Sequence, residues 1–171
     1  PFIAFEGLDG SGKSSLMNSF EAELHNKNLS VLRTREPGGT PLGDEIRQLI
    51  LRKEGQAPTP RTELLLYEAS RSQHVDMIIR PALQKQQWVL CDRFTDASFA
   101  YQCSGRGLSQ EKLQLLNQTF VAKMPNITFW LDAPIELGMT RARERGALDR
   151  FEQEKLSFFA KVRAGYETLW Q

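Results

Sequence analysis

The sequence has no apolar run near the ~20 residues that a membrane-spanning helix needs, and no charged stretch followed by an apolar segment opens it. Neither a membrane partner nor an export leader is therefore expected. The chain also lacks an excess of either charge: 22 Lys and Arg stand against 21 Asp and Glu. Nothing in its overall field favours nucleic acid, so any recognition of anions must come from cations placed locally. Cysteine is scarce. Cys91 and Cys103 have neither metal-ligand spacing nor the look of a disulfide framework, and Cys91 lies in an apolar run that reads as core. A reducing cytoplasm fits. Repeats, low-complexity tracts and linkers are absent. The sequence starts at Pro1 without an initiator Met and stops at Gln171 just after a helix-like stretch, so residues are expected beyond both ends.

What is present has the composition of a soluble globular protein. With 171 residues, 40% hydrophobic and 25% charged, the chain is long enough for one domain with a proper core. Four short apolar runs, Phe2–Phe5, Ser30–Thr34, Trp88–Cys91 and Ile127–Leu131, barely alternate, which suits strands covered on both faces of a parallel sheet. Helical patterns separate them: Ser14–Asn26, Pro41–Arg52, Thr62–Gln86, Ser109–Ala122, Ile135–Glu144 and Glu152–Trp170. Gly55–Pro60 reads as a surface loop. The alternation predicts an α/β fold, a doubly wound parallel sheet flanked by helices, with ligands beyond the carboxyl ends of the strands.

The first strand runs into Gly7-Leu8-Asp9-Gly10-Ser11-Gly12-Lys13-Ser14, and a helix pattern follows. This matches G-x-x-x-x-G-K-[ST], a loop that binds phosphates. Glycines let the backbone curl until successive N–H groups face phosphate oxygens, and the next helix adds its positive end. Lys13 can reach the β- and γ-phosphates, and Ser14 can hold a magnesium ion. The N-K-x-D of a switch GTPase is missing, and the chain is too short for the large ATPases. A small kinase remains, which needs an acceptor site and cations around the transferred group.

Three later segments bear on that need. Arg35, in Thr34–Thr40, sits at a strand end where a ligand would bind, or else is a solvated turn residue. On the Thr62–Gln86 helix, Leu64, Tyr67, Arg71, Val75 and Ile78 share one face. A guanidinium there needs a partner. That partner is either a planar base stacked on Tyr67 with an oxygen near Arg71, or a core carboxylate such as Glu68 or Asp92. The third segment is Asp92-Arg93-Phe94, followed by Ser98, Tyr101 and Gln102 on one helix face. Asp92 can order magnesium waters beside Ser14 and Arg93 can clamp a phosphate, although a structural Asp–Arg pair gives the same residues.

Together these segments resemble one family. The run Asp92–Gly107 is similar to the D-R-[YFH]…A-Y-Q-x-x-G-R-G signature of bacterial thymidylate kinases. Thr34–Thr40 is similar to that family's T-R-E-P-G-G-T, and Glu6–Ser14 to its E-G-x-[DE]-G-x-G-K-[ST]. The resemblance spans essentially the whole chain in family order. It implies a P-loop kinase fold over residues 1–171 with a lid at about 141–152. It implies transfer of the γ-phosphoryl of ATP to dTMP, giving dTDP and ADP in dTTP synthesis, with Mg2+ and a homodimer. Another deoxynucleoside or nucleoside monophosphate kinase is the alternative within the same scaffold, and Arg35 and Arg93 favour an acceptor that already carries phosphate.

Residue by residue, the resemblance implies that Asp9 contacts the acceptor's 3′-hydroxyl and Arg35 its phosphate. Tyr67 would stack on thymine while Arg71 bonds its carbonyl. Arg93 would lie between the acceptor phosphate and the transferred group, Tyr101 beside the deoxyribose, and Ser98 and Gln102 near the base. Family members with no Arg at the loop position of Gly10 and Ser11 take the catalytic cation from the lid. Arg145 matches it best, with Arg141 one turn earlier and Arg150 nearby; a solvated charged helix is the ordinary reading of such a run. Members usually continue past Trp170 with a strand and a final helix that form part of the adenine pocket, so no adenine contact is assigned.

Overall fold

Successive side chains of a strand point to opposite faces, so an apolar run without alternation needs cover on both sides. Phe2–Glu6 (β1) has it: all five residues are buried. The other strands are Val31–Arg35 (β2), Trp88–Asp92 (β3) and Ile127–Trp130 (β4). In this computed structural model, which describes residues 1–170, they form a parallel sheet in the order β2-β3-β1-β4. Gln171, the last residue of the expected domain, lies outside the described residues. Phe2 and Ala4 face one cluster with Val75, Ile79 and Phe94, while Ile3 and Phe5 face another with Met17 and Leu24.

Cover on both faces holds only for the centre of the sheet. At the edge, Ile127 is 51% and Phe129 37% exposed. Among the described residues each edge strand has a single neighbour, and the helices that bury β1 and β3 reach it only in part. Phe129 is held against Phe5 and Phe20, at ring separations of 5.6 and 6.0 Å.

The helices are α1 (Lys13–Asn26), α2 (Pro41–Leu51), α3 (Pro60–His74), α4 (Arg80–Gln84), α5 (Thr95–Ser98), α6 (Gln110–Leu116), α7 (Ile135–Arg145) and α8 (Leu156–Leu169). The stretch expected as one helix over Thr62–Gln86 is α3 and α4 joined by a wide π-helical turn at Val75–Ile79. Pro81 has no N–H, and its ring would press on the carbonyl one turn earlier; the chain widens just ahead of it. A second π-helical segment, Phe99–Gly105, continues α5, and a third, Asn117–Val121, continues α6. In α8 Phe159, Val162 and Tyr166 are buried and Leu169 is 37% exposed. Gly165 lets α8 approach the Phe99–Gly105 segment closely, because a Cβ there would lie 2.7 Å from the Ser104 Cβ. This contact brings the end of the chain under the residues that line the site.

Candidate active site

The loop between β1 and α1 takes backbone angles open to glycine, with φ of 138° at Gly7, 76° at Gly10 and 101° at Gly12. Lys13 begins α1 and folds back, donating from Nζ to the carbonyls of Gly7 at 3.0 Å and Leu8 at 3.1 Å. Burial, with Arg93 nearby, pushes its ammonium down to about 8. Among the described residues Lys13 is thus a cation without a carboxylate bonded to it, in the wall of a cleft that Gly10, Gly12, Ser14, Asp92, Arg141 and Arg145 also line. Asp92 Oδ1 is buried with no hydrogen-bond partner.

A second cleft opens on the other side of Asp9. Its walls include Tyr67 and Arg71 from α3, Arg93 after β3, and Tyr101 and Gln102 from the segment that continues α5. Arg93 carries φ of +67°, uncommon for a side chain of this size. That turn sends its guanidinium back over the phosphate loop. Nη2 donates to the Gly7 carbonyl at 3.2 Å and Asp9 Oδ1 at 3.0 Å, and lies 3.4 Å from the Tyr101 hydroxyl. Arg93 holds the Asp9 carboxyl below the usual carboxylate range. Asp9 and Arg145 line both clefts, so the two meet at these residues.

Arg71 is fully buried on the floor of this second cleft. Nε donates to Glu36 Oε2 at 2.6 Å, Nη1 pairs with Glu68, and Nη2 donates to the Phe94 carbonyl and Ser98 Oγ, each at 3.0 Å. The core-carboxylate reading of Arg71 therefore holds for Glu68 and not for Asp92, and Glu36 is a second partner that the spacing of the sequence did not show. Arg71 also lines the cleft, in the same wall as Tyr67.

The sequence matches the thymidylate kinase family over residues 5–171. The chain belongs to that family. It is 63% identical over 171 residues to a thymidylate kinase of Acinetobacter baumannii, covering 99% of this chain and 86% of the relative. It is 57% identical to one of Bdellovibrio bacteriovorus, covering 96% and 80%. The fold is similar to the crystal structure of thymidylate kinase from Ehrlichia chaffeensis, with a TM-score of 0.77, 33% identity, and 98% and 85% of the two chains covered.

The positions that the thymidylate kinase resemblance singles out divide in space. Asp9, Tyr67, Arg71, Arg93, Tyr101 and Gln102 converge on one cleft. Ser98 lies behind Arg71 as its hydrogen-bond acceptor. Arg35 does not join them: it is exposed, 3.8 Å from Asp44, in a neighbouring groove beyond Asp92. In its place Arg47 of α2 lines the cleft, half-buried, donating to the Pro37 carbonyl at 3.1 Å. Among the described residues Arg47 has no carboxylate partner, and burial followed by Arg35 and Arg93 lowers its pKa. The only local signal for it was an Arg set between Ile46 and Ile50, both buried.

The lid residues divide as well. Arg141 donates to the Gly10 carbonyl at 2.7 Å, and Arg145 reaches the seam of the clefts while paired with Glu152 at 2.9 Å. Arg150, grouped with them on sequence, points elsewhere. It donates to the Ile50 carbonyl at 2.8 Å and to Glu63 at 2.6 Å, because Glu63 is a buried carboxylate that needs cations. Phe151, which carried no signal, is buried in the wall of the second cleft, with ring contacts to Tyr67 at 6.3 Å and Tyr101 at 5.8 Å. Among the described residues no helix is long and apolar enough to cross a membrane.

Proposed function

We infer that the protein transfers the γ-phosphoryl of ATP to dTMP, giving dTDP and ADP. The observation that carries this reading is the shared seam. Two clefts meet at Asp9 and Arg145 beside Arg93, so an acceptor in one lies next to a triphosphate held in the other. The attacking oxygen is already anionic, so positioning and charge neutralisation supply the catalysis.

The donor rests on the N–H groups of Gly7 to Ser14, with Lys13 reaching its outer phosphates. Arg145 and Arg141 bring positive charge from the lid to the transferred group. On the acceptor side Tyr67 offers a ring face to the base, and Gln102 Oε1, buried without a partner, accepts from a base N–H. Asp9 and Tyr101 border the sugar. We assign the acceptor phosphate to Arg47 and Arg93 in place of Arg35. Magnesium fits the donor cleft, because the orphaned Oδ1 of Asp92 lines it with Ser14. Ser14 and Asp92 would hold the ion, in part through water, and once bound it would supply positive charge against the triphosphate.

Exposed Leu65 on α3 and exposed Phe120 and Met124 after α6 support association as a homodimer. The free, buried Cys91 and Cys103 support a reducing, cytoplasmic setting. A coupled ADP-release assay over dTMP, dUMP, dGMP, AMP and thymidine tests the reaction. dTMP is expected to turn over fastest, and faster turnover of thymidine or a purine monophosphate would overturn the assignment.

A further inference from the structure

Helix α5 starts without a cap of its own. Its N-cap residue is Phe94, whose apolar side chain offers no acceptor to the exposed N–H groups. The acceptor comes instead from β1, far away in sequence. Glu6 Oε1 accepts the backbone N–H of Phe94 at 2.7 Å and of Ala97 at 3.3 Å, and Oε2 accepts the Tyr166 hydroxyl of α8 at 2.8 Å. Glu6 is fully buried and directly precedes the glycine loop. The helix that it caps leads into Tyr101 and Gln102, and the residue just before its first acceptor bond is the left-handed Arg93.

We propose that Glu6 is a positioning residue that locks the acceptor-side helix and Arg93 in register with the phosphate loop by capping α5 from the end of β1. This rests on the assignment of Arg93, Tyr101 and Gln102 to the acceptor side. A backbone held at positive φ persists only where its surroundings over-determine it. Here the Arg93 N–H bonds the Phe5 carbonyl at 2.9 Å on one side, and the Glu6 carboxyl takes the next N–H on the other. One strand end therefore grips both peptide groups around Arg93. Burial first, and Asp96 second, push the Glu6 carboxyl up to about 8, so at neutral pH it caps as a neutral acid through its carbonyl oxygen. The acceptor's position, not its charge, is what matters.

Two variants separate these. Glu6→Gln keeps a carbonyl oxygen at the same reach and cannot ionise; Glu6→Asp keeps an ionisable carboxyl and draws the oxygen back by one methylene. Glu6→Gln is expected to retain kcat and both KM values within about 3-fold. Glu6→Asp is expected to lose on the order of 100-fold in kcat/KM for dTMP, the scale of an ångström misplacement, with KM for ATP unchanged. An active Glu6→Asp, a Glu6→Gln as impaired as Glu6→Asp, or equal losses toward both substrates would each overturn the proposal. If Glu6→Asp does not fold, amide exchange decides. The Phe94 and Ala97 N–H groups are expected to be strongly protected in the native chain and in Glu6→Gln, and fast exchange in either refutes the cap. Arg93→Ala serves as control. An active Arg93→Ala sinks the assignment of the acceptor site, whereas an inactive Arg93→Ala beside an active Glu6→Asp sinks the role of Glu6 alone.

Discussion

Gly10 of the phosphate loop and Gly138 of the lid helix touch backbone to backbone. A Cβ on Gly10 would lie 2.8 Å from the Gly138 carbonyl oxygen, and one on Gly138 would strike the Asp9 carbonyl oxygen. This contact sets α7 on the loop, so that Arg141 reaches the Gly10 carbonyl and Arg145 the seam one turn later. It also leaves no room for a loop side chain at this position. Gly138→Ala, although better suited to a helix by about 1 kcal/mol, is expected to push α7 away and to lower kcat on the order of 10- to 100-fold. Steady-state kinetics with a thermal melt check it: the activity should fall while the fold survives.

Arg47 and Arg35 give opposite expectations. Among the described residues Arg47 has no carboxylate partner, and it lines the cleft proposed for the acceptor, so Arg47→Ala should remove about 1.5–3 kcal/mol of charged hydrogen bonding, or about 10- to 100-fold in kcat/KM for dTMP. KM for ATP should stay as it is. Arg35→Ala, whose side chain is exposed beside Asp44, should change kcat/KM for dTMP by no more than about 3-fold, because an exposed ion pair contributes little. Parallel kinetics on the two variants decide between them.

Arg71 supports the fold as well as the site. Glu36 and Glu68 converge on it with side-chain exposures of 3% and 5%. Arg71→Ala leaves two buried carboxylates without their cation, which should cost about 3–5 kcal/mol of stability. Urea denaturation measures this separately from the loss of dTMP binding. A variant that is inactive yet fully stable would show that Glu36, also bonded to His74 at 2.9 Å, and Glu68 find other partners.

The depressed ammonium of Lys13 predicts two opposed trends with pH. As pH rises through about 8 the folded chain loses this charge, so kcat/KM for ATP should fall, since that parameter reports the free enzyme. Stability should move the other way. Between about 8 and 10.5 the unfolded chain still binds the proton that the folded chain has released, so this group's contribution to stability rises with pH. Lys13→Met, which does not titrate, should remove that rising part when denaturation is followed across the same window.

Much of the fold and the donor side was legible in the residues themselves. Glycines at φ above zero, a lysine at a helix start and apolar runs between helical patterns are local constraints, and the four strands and the phosphate loop came out within a residue or so of where they were expected. The second cleft was legible only in part. Tyr67, Arg71, Tyr101 and Gln102 share helix faces that periodicity reveals, and they do line one cleft. Arg35, Arg47 and Arg150 look alike as residues in sequence. Their roles depend on where a long side chain finds a partner: Asp44 in an open groove for Arg35, the Pro37 carbonyl in the wall of a cleft for Arg47, the buried Glu63 for Arg150. Phe151 and Glu6 show the same limit, since a ring roofing a cleft and a carboxyl capping a helix 88 residues away leave no local pattern. Backbone chemistry is local and was determined by the sequence alone. The choice of partner for each buried charge is a long-range competition, and only the tertiary structure decided it.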